Sequence, residues 1–552
     1  MPRAIPEMRI LHIVILSFFA VFLMVPLVIL LARTFGGDQG FSAAYYISVL
    51  TNKEMITSFF NSVKISALTA IITTVLAFVL AYSIHCTRLL QPLKTAIKTC
   101  VLIPMLLPTI TYGFAIMYSF GNQGLITKIF GESLFSIYGI NGLLIGYVIY
   151  TIPPAFLLIY NSFIYIDKKF IVVSKLMGDG AARSFWNTII RPLLGTLGGA
   201  YVLSFILSFT DFGIPASVGG SYSVVATQLY QVMLGSIPDF NNGAVIAVLM
   251  LLPALFGVFL LNYLEKFNFH YDKFTEIEMV PNKVRDLSLG LISLMILTGI
   301  LSILAVMFIA PFLNSFPYDM TFTFKHFESI FQSSDLLGVY GNSVFVAVLT
   351  AIGGTMLAYC SAILNVRTPI KGRKALDAIS MITNTVPGMV LGISYLLLFN
   401  GSSIKGTFTI IILCNIVHYF TTPYLMAKNS LLKMNPTWET TGELLGDSWA
   451  KTVYRVIIPN SVKTLLEMFS YYFINSMVTI SGIIFLVSAQ TSLVSSKIKE
   501  LQHFAKFNEI FVLSMLIFFT NLLVKVFCDF LQKRKSVNES IKITFKSEEK
   551  VS

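Results

Sequence analysis

Apolar runs of about twenty residues recur along the whole length of this 552-residue chain. About twenty residues is what an α-helix needs to cross the hydrocarbon of a bilayer. Hydrophobic residues make up 55% of the chain and charged residues only 12%, which excludes a soluble globular domain. The runs predict membrane helices near 10–33, 61–85, 98–119, 140–163, 197–212 and 244–264. A second set is expected near 287–313, 343–365, 378–399, 406–427, 464–487 and 508–532. The fold class is therefore an all-α integral membrane protein with about 12 transmembrane helices. The first run follows Arg3 and Arg9, is too long for a signal-peptide core and is read as a retained helix.

Charge assigns the sides. The net charge of +12 is not one basic patch, so nucleic acid is not an expected partner. Lys and Arg gather after every second helix, for example Arg88, Lys94 and Lys98, then Lys168, Lys169, Lys175, Arg183 and Arg191. Lys266, Lys273, Lys283 and Arg285 follow the sixth helix, and Lys533, Arg534 and Lys535 the last. The positive-inside rule then puts both termini in the cytoplasm. Lys497, Lys499 and Lys506, in an outer loop, run against it. The five cysteines lie in or beside apolar runs without metal spacing and read as small core residues.

The chain is a tandem repeat. Asn61-Ser62-Val63 and Leu68-Thr69-Ala70-Ile71 match Asn342-Ser343-Val344 and Leu349-Thr350-Ala351-Ile352 without a gap. Pro108 and Gly113 correspond to Pro387 and Gly392, and Asn161-Ser162 to Asn429-Ser430. The expected division is a first half at 1–264, a cytoplasmic linker at 265–286, a second half at 287–535 and a tail at 536–552. Six helices per half is an even number, so the repeats share one orientation.

Two polar, amphipathic stretches interrupt the apolar pattern at equivalent places. In 433–459, Pro436 is expected to open a helix and Gly446 to end it. Ser448 then caps a second short helix that Pro459 stops. In 165–192, Phe170 takes the place of Trp438, Leu176 that of Leu444, and Gly178-Asp179 that of Gly446-Asp447. This copy is one residue longer before Pro192, and Gly180 offers its turn a second glycine. As plain chemistry these are two connections between membrane helices. The pattern also resembles the cytoplasmic loop of ABC-importer permeases: Glu-Ala-Ala, three residues, Gly, nine residues, Ile-x-Leu-Pro. Both copies depart at the Glu-Ala-Ala, where they carry Val172-Val173-Ser174 and Thr440-Thr441-Gly442. The resemblance implies that Leu176, Gly178, Asp179 and Pro192, with Leu444, Gly446, Asp447 and Pro459, form the surfaces that dock on an ATPase.

A broken helix follows each stretch. The first carries Thr210, Asp211, Phe212, Gly213, Pro215 and Gly219-Gly220. The second carries Asn475, Ser476, Thr479, Ser481 and Gly482. Irregular backbone at membrane depth is tolerated where it is packed in protein or lines a cavity, and Asp211 is too costly to face lipid. Helix packing through small residues is the plain alternative. These segments are similar to those of the Fe(III)/2-aminoethylphosphonate binding-protein-dependent permeases with fused halves. That likeness makes Thr210, Asp211, Gly213, Asn475, Ser476, Thr479 and Ser481 the candidate translocation path. His418 lies deep in a run without a second histidine or carboxylate at metal spacing, and no metal site is assigned.

No G-x-x-x-x-G-K-[ST] is present, so no nucleotide loop of the usual kind, and no catalytic motif stands out. The resemblance then implies a type I ABC-importer permease, not an enzyme, with two halves in one polypeptide. It implies a homodimeric ATPase on the cytoplasmic side that holds ATP and Mg, no cofactor on this chain, and an extracytoplasmic substrate-binding protein. It places the chain in a bacterial inner membrane and points to ferric iron, with 2-aminoethylphosphonate, thiamine or polyamine as alternatives. A twelve-helix ion-coupled secondary transporter would also explain two six-helix halves, but would favour buried carboxylates, which are scarce. A lipid-processing enzyme would need an interfacial Asp/His cluster.

Overall fold

The computed structural model describes residues 6–37, 40–167, 169–264, 266 and 282–548. Most of the linker expected at 265–286 lies outside them, as do Arg3, Lys168, Lys273 and the last four residues of the tail. Among the described residues, eight helices are long and apolar enough to cross a membrane, or up to eleven if each bent pair is one span. The expected span at 464–487 is instead a 17-residue helix, Val462–Val478, at the short limit for a crossing.

Two of the three bent pairs have a local cause. Gln91–Leu106 meets Thr109–Phe130 at 107°, and Ala375–Thr385 meets Gly388–Phe399 at 102°. The breaks fall at Pro108 and Pro387, the prolines matched between the halves. The preceding residues are extended, Leu107 at φ −122° and ψ 145° and Val386 at φ −80° and ψ 114°. A proline ring drives the residue before it out of helical conformation, so the sequence match becomes a shape match.

Two compact units form, and they do not follow the tandem halves. One holds Met1–Ala32, Ser333–Lys497 and Leu516–Ser552; the other holds Arg33–Gln332 and Ile498–Met515. In the first, the 34-residue helix Ser334–Arg367 packs on Val462–Val478, Thr421–Leu432 and Phe408–His418. The helix Pro6–Phe19 also lies on Ser334–Arg367, and Tyr395 donates its hydroxyl to the Phe22 carbonyl at 2.6 Å. In the second unit, the 34-residue helix Lys53–Cys86 packs on Ile140–Phe163 and Arg191–Thr210. Lys283–Ile309 joins that unit against Thr109–Phe120, and Ser293 donates to Ser83 at 2.9 Å. Each half thus leaves its opening helix in the unit built mainly by the other half.

Small residues make the close approaches. A Cβ at Gly113 would lie 1.8 Å from Ser217 Oγ, and one at Gly392 would lie 2.1 Å from the Gly482 carbonyl oxygen. With no hydrophobic force between helices in lipid, such backbone proximity carries the packing.

Candidate functional site

The first polar stretch is a helical hairpin. Lys169–Leu176 ends, Gly178 turns at φ +80°, and Ala181–Phe185 begins the return. The Asp179 N–H donates to the Ser174 carbonyl at 3.1 Å and closes the turn. Ser174 Oγ also donates to Asp179 Oδ2 at 2.7 Å. Leu176 and Met177, at the tip, are 83% and 79% exposed. A cleft of about 210 Å³ beside the turn is lined by Phe170, Val173, Met177, Asp179, Thr188 and Pro192, among others.

The second stretch repeats the backbone. Trp438–Leu444 ends, Gly446 turns at φ +78°, and Trp449–Thr452 begins the return. The Asp447 N–H donates to the Gly442 carbonyl at 2.9 Å, and Asp447 pairs with Lys451. Leu444 and Leu445 are 84% and 77% exposed. Ser448 Oγ accepts from the Lys451 N–H at 3.3 Å, so the expected cap forms. Pro436 lies two residues before the helix rather than in its first turn.

Pro459 does not stop the second helix. A five-residue π-helical turn, Val453–Ile457, carries the chain into Ile458–Asn460, and Val462–Val478 follows. Trp186–Ile190 does the same before Arg191–Thr210, and Ala20–Met24 before Val25–Phe35. Each wide turn ends two residues before a proline: Pro26, Pro192 and Pro459. Proline lacks the N–H for the usual ladder and its ring crowds the previous turn. A wider turn accommodates both, which periodicity alone does not reveal. The extra residue of the first copy is found in the short helix, five residues in Ala181–Phe185 against four in Trp449–Thr452.

One tie at the second hairpin had no sequence signal. Arg367, the last residue of Ser334–Arg367, holds Glu439 with Nε–Oε1 at 2.5 Å and Nη2–Oε2 at 2.7 Å. It also donates to the Met434 and Asn435 carbonyls. The arginine side chain is 4% exposed, so this forked pair is a strong one.

The broken helices end at equivalent points. Arg191–Thr210 stops at Asp211 and Val462–Val478 stops at Thr479. Buried Asp211 accepts the Ile214 N–H at 2.9 Å and so anchors the short helix Gly213–Val218. Gly213 is needed there, because a Cβ would lie 2.2 Å from Thr109 Oγ1. Thr210 and Asn475 are half-buried and turn back on their own helices, to Ile206 and Tyr471. Ser476 is buried and accepts from Asn415 at 3.0 Å, while Thr479 is buried and Ser481 half-buried. Ser481 and Gly482 pack against Gly388. Lys499, one of the cations that ran against the charge rule, donates to the Ala216 carbonyl at 3.1 Å and to Gln502 at 2.8 Å. Burial pushes its ammonium below the usual lysine range. Lys497 pairs with Asp335 at 3.0 Å. Among the described residues no cluster of three His, Cys, Asp or Glu side chains is arranged to hold a metal ion.

The fold repeat and the paired hairpins coincide with a family match. The family model described as "Binding-protein-dependent transport system inner membrane component" matches residues 74–268 and again 352–537. The chain belongs to this family. It is a multi-pass membrane permease, a transport subunit rather than an enzyme, and the family implies an ATPase partner and a substrate-binding protein. A putative ferric transport system permease of Haemophilus influenzae is 25% identical over 500 residues, 87% of this chain and 77% of that protein. A ferric transport system permease of Actinobacillus pleuropneumoniae is 26% identical over 509 residues, 88% of this chain and 72% of that protein. Among solved structures, a bacterial ABC transporter that imports the acidic polysaccharide alginate aligns with 45% of this chain and 95% of its own, at 16% identity and a TM-score of 0.38.

Proposed function

We propose that this permease forms the translocation path of a ferric-iron importer and is driven by two copies of one ATPase subunit. The hairpins 165–192 and 433–459 are the docking surfaces, one per ATPase subunit. The observation that carries this is the repeated turn that leaves Leu176 and Met177, and Leu444 and Leu445, almost fully exposed. Paired apolar tips on charged hairpins fit a protein partner better than water. ATP and Mg belong to that partner, and this chain holds no cofactor. A loaded binding protein delivers substrate outside, the hairpins transmit ATP-driven closure, and the path alternates its access. Thr210, Asp211, Gly213, Asn475, Ser476, Thr479 and Ser481 flank that path. Iron is the favoured substrate because both long relatives are named as ferric permeases. Both termini and both hairpins lie in the cytoplasm of a cell with this chain in its inner membrane.

Liposomes that contain the permease and its ATPase test the proposal. Uptake of ferric iron from a loaded binding protein is the expected result. Uptake of 2-aminoethylphosphonate, thiamine or a polyamine in its place would move the substrate assignment. Orientation is tested with Met177→Cys and Ile237→Cys, both at highly exposed positions. An impermeant reagent outside the cell should label the second and not the first; the reverse pattern overturns the orientation.

A further inference from the structure

The repeated Asn-Ser pair does the same work in each half. Asn61 Nδ2 donates to the Ser223 carbonyl at 3.0 Å, and Ser62 Oγ accepts the Val225 N–H at 2.8 Å. Asn342 Nδ2 donates to the Ser492 carbonyl at 3.3 Å, and Ser343 Oγ accepts the Val494 N–H at 2.8 Å. Val225 and Val494 each open a helix, Val225–Leu234 and Val494–His503. A reciprocal bond follows in both: the Val224 N–H donates to Thr227 Oγ1, which returns its proton to the Val224 carbonyl. Leu493 and Ser496 make the same exchange. Ser62 is 2% exposed and Ser343 4%.

These ties close a mechanical chain. In the first half the hairpin runs through its π turn into Arg191–Thr210, which ends at Asp211. The stretch 211–224, which holds the short helix Gly213–Val218, follows, and its far end is fastened to Lys53–Cys86 by Asn61 and Ser62. In the second half Val462–Val478 ends at Thr479, and the stretch 479–493 is fastened to Ser334–Arg367 by Asn342 and Ser343. Adjacent Asn and Ser on one helix grip a carbonyl and an N–H two residues apart. That two-point grip fixes position as well as satisfying backbone polar groups away from water. We infer that Asn61-Ser62 and Asn342-Ser343 are positioning residues of the translocation path, latches that make the segments 211–224 and 479–493 move with their long helices. The inference rests on the reading of 210–213 and 475–481 as that path.

The test uses the full permease with its ATPase in liposomes, with ferric iron on the binding protein as probe. Ser62→Ala and Ser343→Ala should each lower the iron moved per ATP about tenfold, the scale of one lost buried hydrogen bond. ATPase retention and the half-saturating concentration of binding protein should stay at wild-type values. Amide exchange should speed up at 223–226 and 492–496 and nowhere else. Ser62→Thr and Ser343→Thr, which keep the hydroxyl, should restore coupling. Asn61→Ala, at a half-buried position, gives a second variant if the serine variants do not insert. Faster local exchange with wild-type iron moved per ATP overturns the inference and leaves the permease reading intact. If wild-type liposomes move no ferric iron, the substrate reading falls. The latch then stands only if ATP hydrolysis stimulated by the binding protein drops in the alanine variants and returns in the threonine variants.

Discussion

The two hairpins reach one backbone by different side chains. Both turn at a glycine near φ +80° and close on an aspartate N–H five residues after the carbonyl it meets. The first then fastens its aspartate with the Ser174 hydroxyl. In the second, Gly442 stands at that position, and a Cβ there would lie 2.4 Å from Thr452 Oγ1. The second is also bound to its unit's long helix by Arg367 and Glu439, where the first half has Cys86 and Ile171. A third pair shows the same drift: Lys428 pairs with Asp377 at 2.6 Å, while at the matching positions Lys98 sits 5.0 Å from the Tyr160 ring centroid. The backbone turn is common to both halves, while the side-chain contacts that hold it differ from one half to the other.

If the shared turn is what matters, the glycines should give the largest effects. Gly446→Val and Gly178→Val meet open space, with nothing within 4 Å of an added Cβ. The cost is backbone strain at positive φ, about 3 kcal/mol for a β-branched residue. Gly180 does not relieve the first hairpin, because at φ −63° it already caps the next helix. Both variants should insert and accumulate normally, yet lose about tenfold or more in ATPase retention and abolish uptake. Co-purification with the ATPase checks this; wild-type retention and uptake in both would make the hairpins mere connections.

The difference between the hairpins is tested next. Arg367→Ala leaves Glu439 without its fork and should cost the second hairpin about 2 kcal/mol of local stability. Amide exchange across 438–447 should accelerate by about tenfold or more, with no change at 169–179. Uptake should fall, but less than in Gly446→Val. Ser174→Ala removes one hydroxyl from the first turn, and about 1 kcal/mol is expected there. Its exchange effect should be confined to 174–180. Equal responses of both hairpins to Arg367→Ala would show that the tie is not local to one unit.

Much of the frame was legible in the sequence. Hydropathy located the eight helices that, among the described residues, are long and apolar enough to cross, because a bilayer fixes their length, but it does not settle the count of twelve. Pro108 and Pro387 stood out as matched residues, and their bends followed from proline geometry. Gly178, Gly446 and the Ser448 cap were readable because those residue types have few other reasons to stand at a helix end. What stayed hidden needed a third dimension. Arg367 and Glu439 are 72 residues apart, and nothing local in the sequence links them. Asn61-Ser62 was visible as a repeat, but its partners at 223–225 carry the contact through backbone atoms, which leave no side-chain signature. The π turns escaped because proline in a helix ordinarily signals an end. The exchange of opening helices between the units was invisible because hydropathy gives the existence of a span and not its neighbours.

The smallest effects are expected at the solvent-exposed ion pairs beside the two turns. Asp447 and Lys451 form an ion pair four residues apart, but the lysine side chain is 44% exposed and the aspartate 28%. Solvent screens such a pair, and holding a long lysine in one rotamer offsets much of the gain, so it is worth about 0.5 kcal/mol or less. The turn does not depend on it, since the Asp447 N–H is already bonded to the Gly442 carbonyl and Ser448 caps the next helix. Lys451→Ala should therefore leave amide exchange across 438–452 within about twofold of wild type. At the first hairpin, Arg183 lies 3.8 Å from Asp179 with 76% of its side chain exposed, so Arg183→Ala should do still less. Retention of the ATPase is the sharper readout. A large loss of retention in Lys451→Ala without any change in exchange would mean that the lysine meets the ATPase directly. The charge on the second hairpin would then belong to the docking surface rather than to the turn, and the two hairpins would differ in what they present as well as in how they are held.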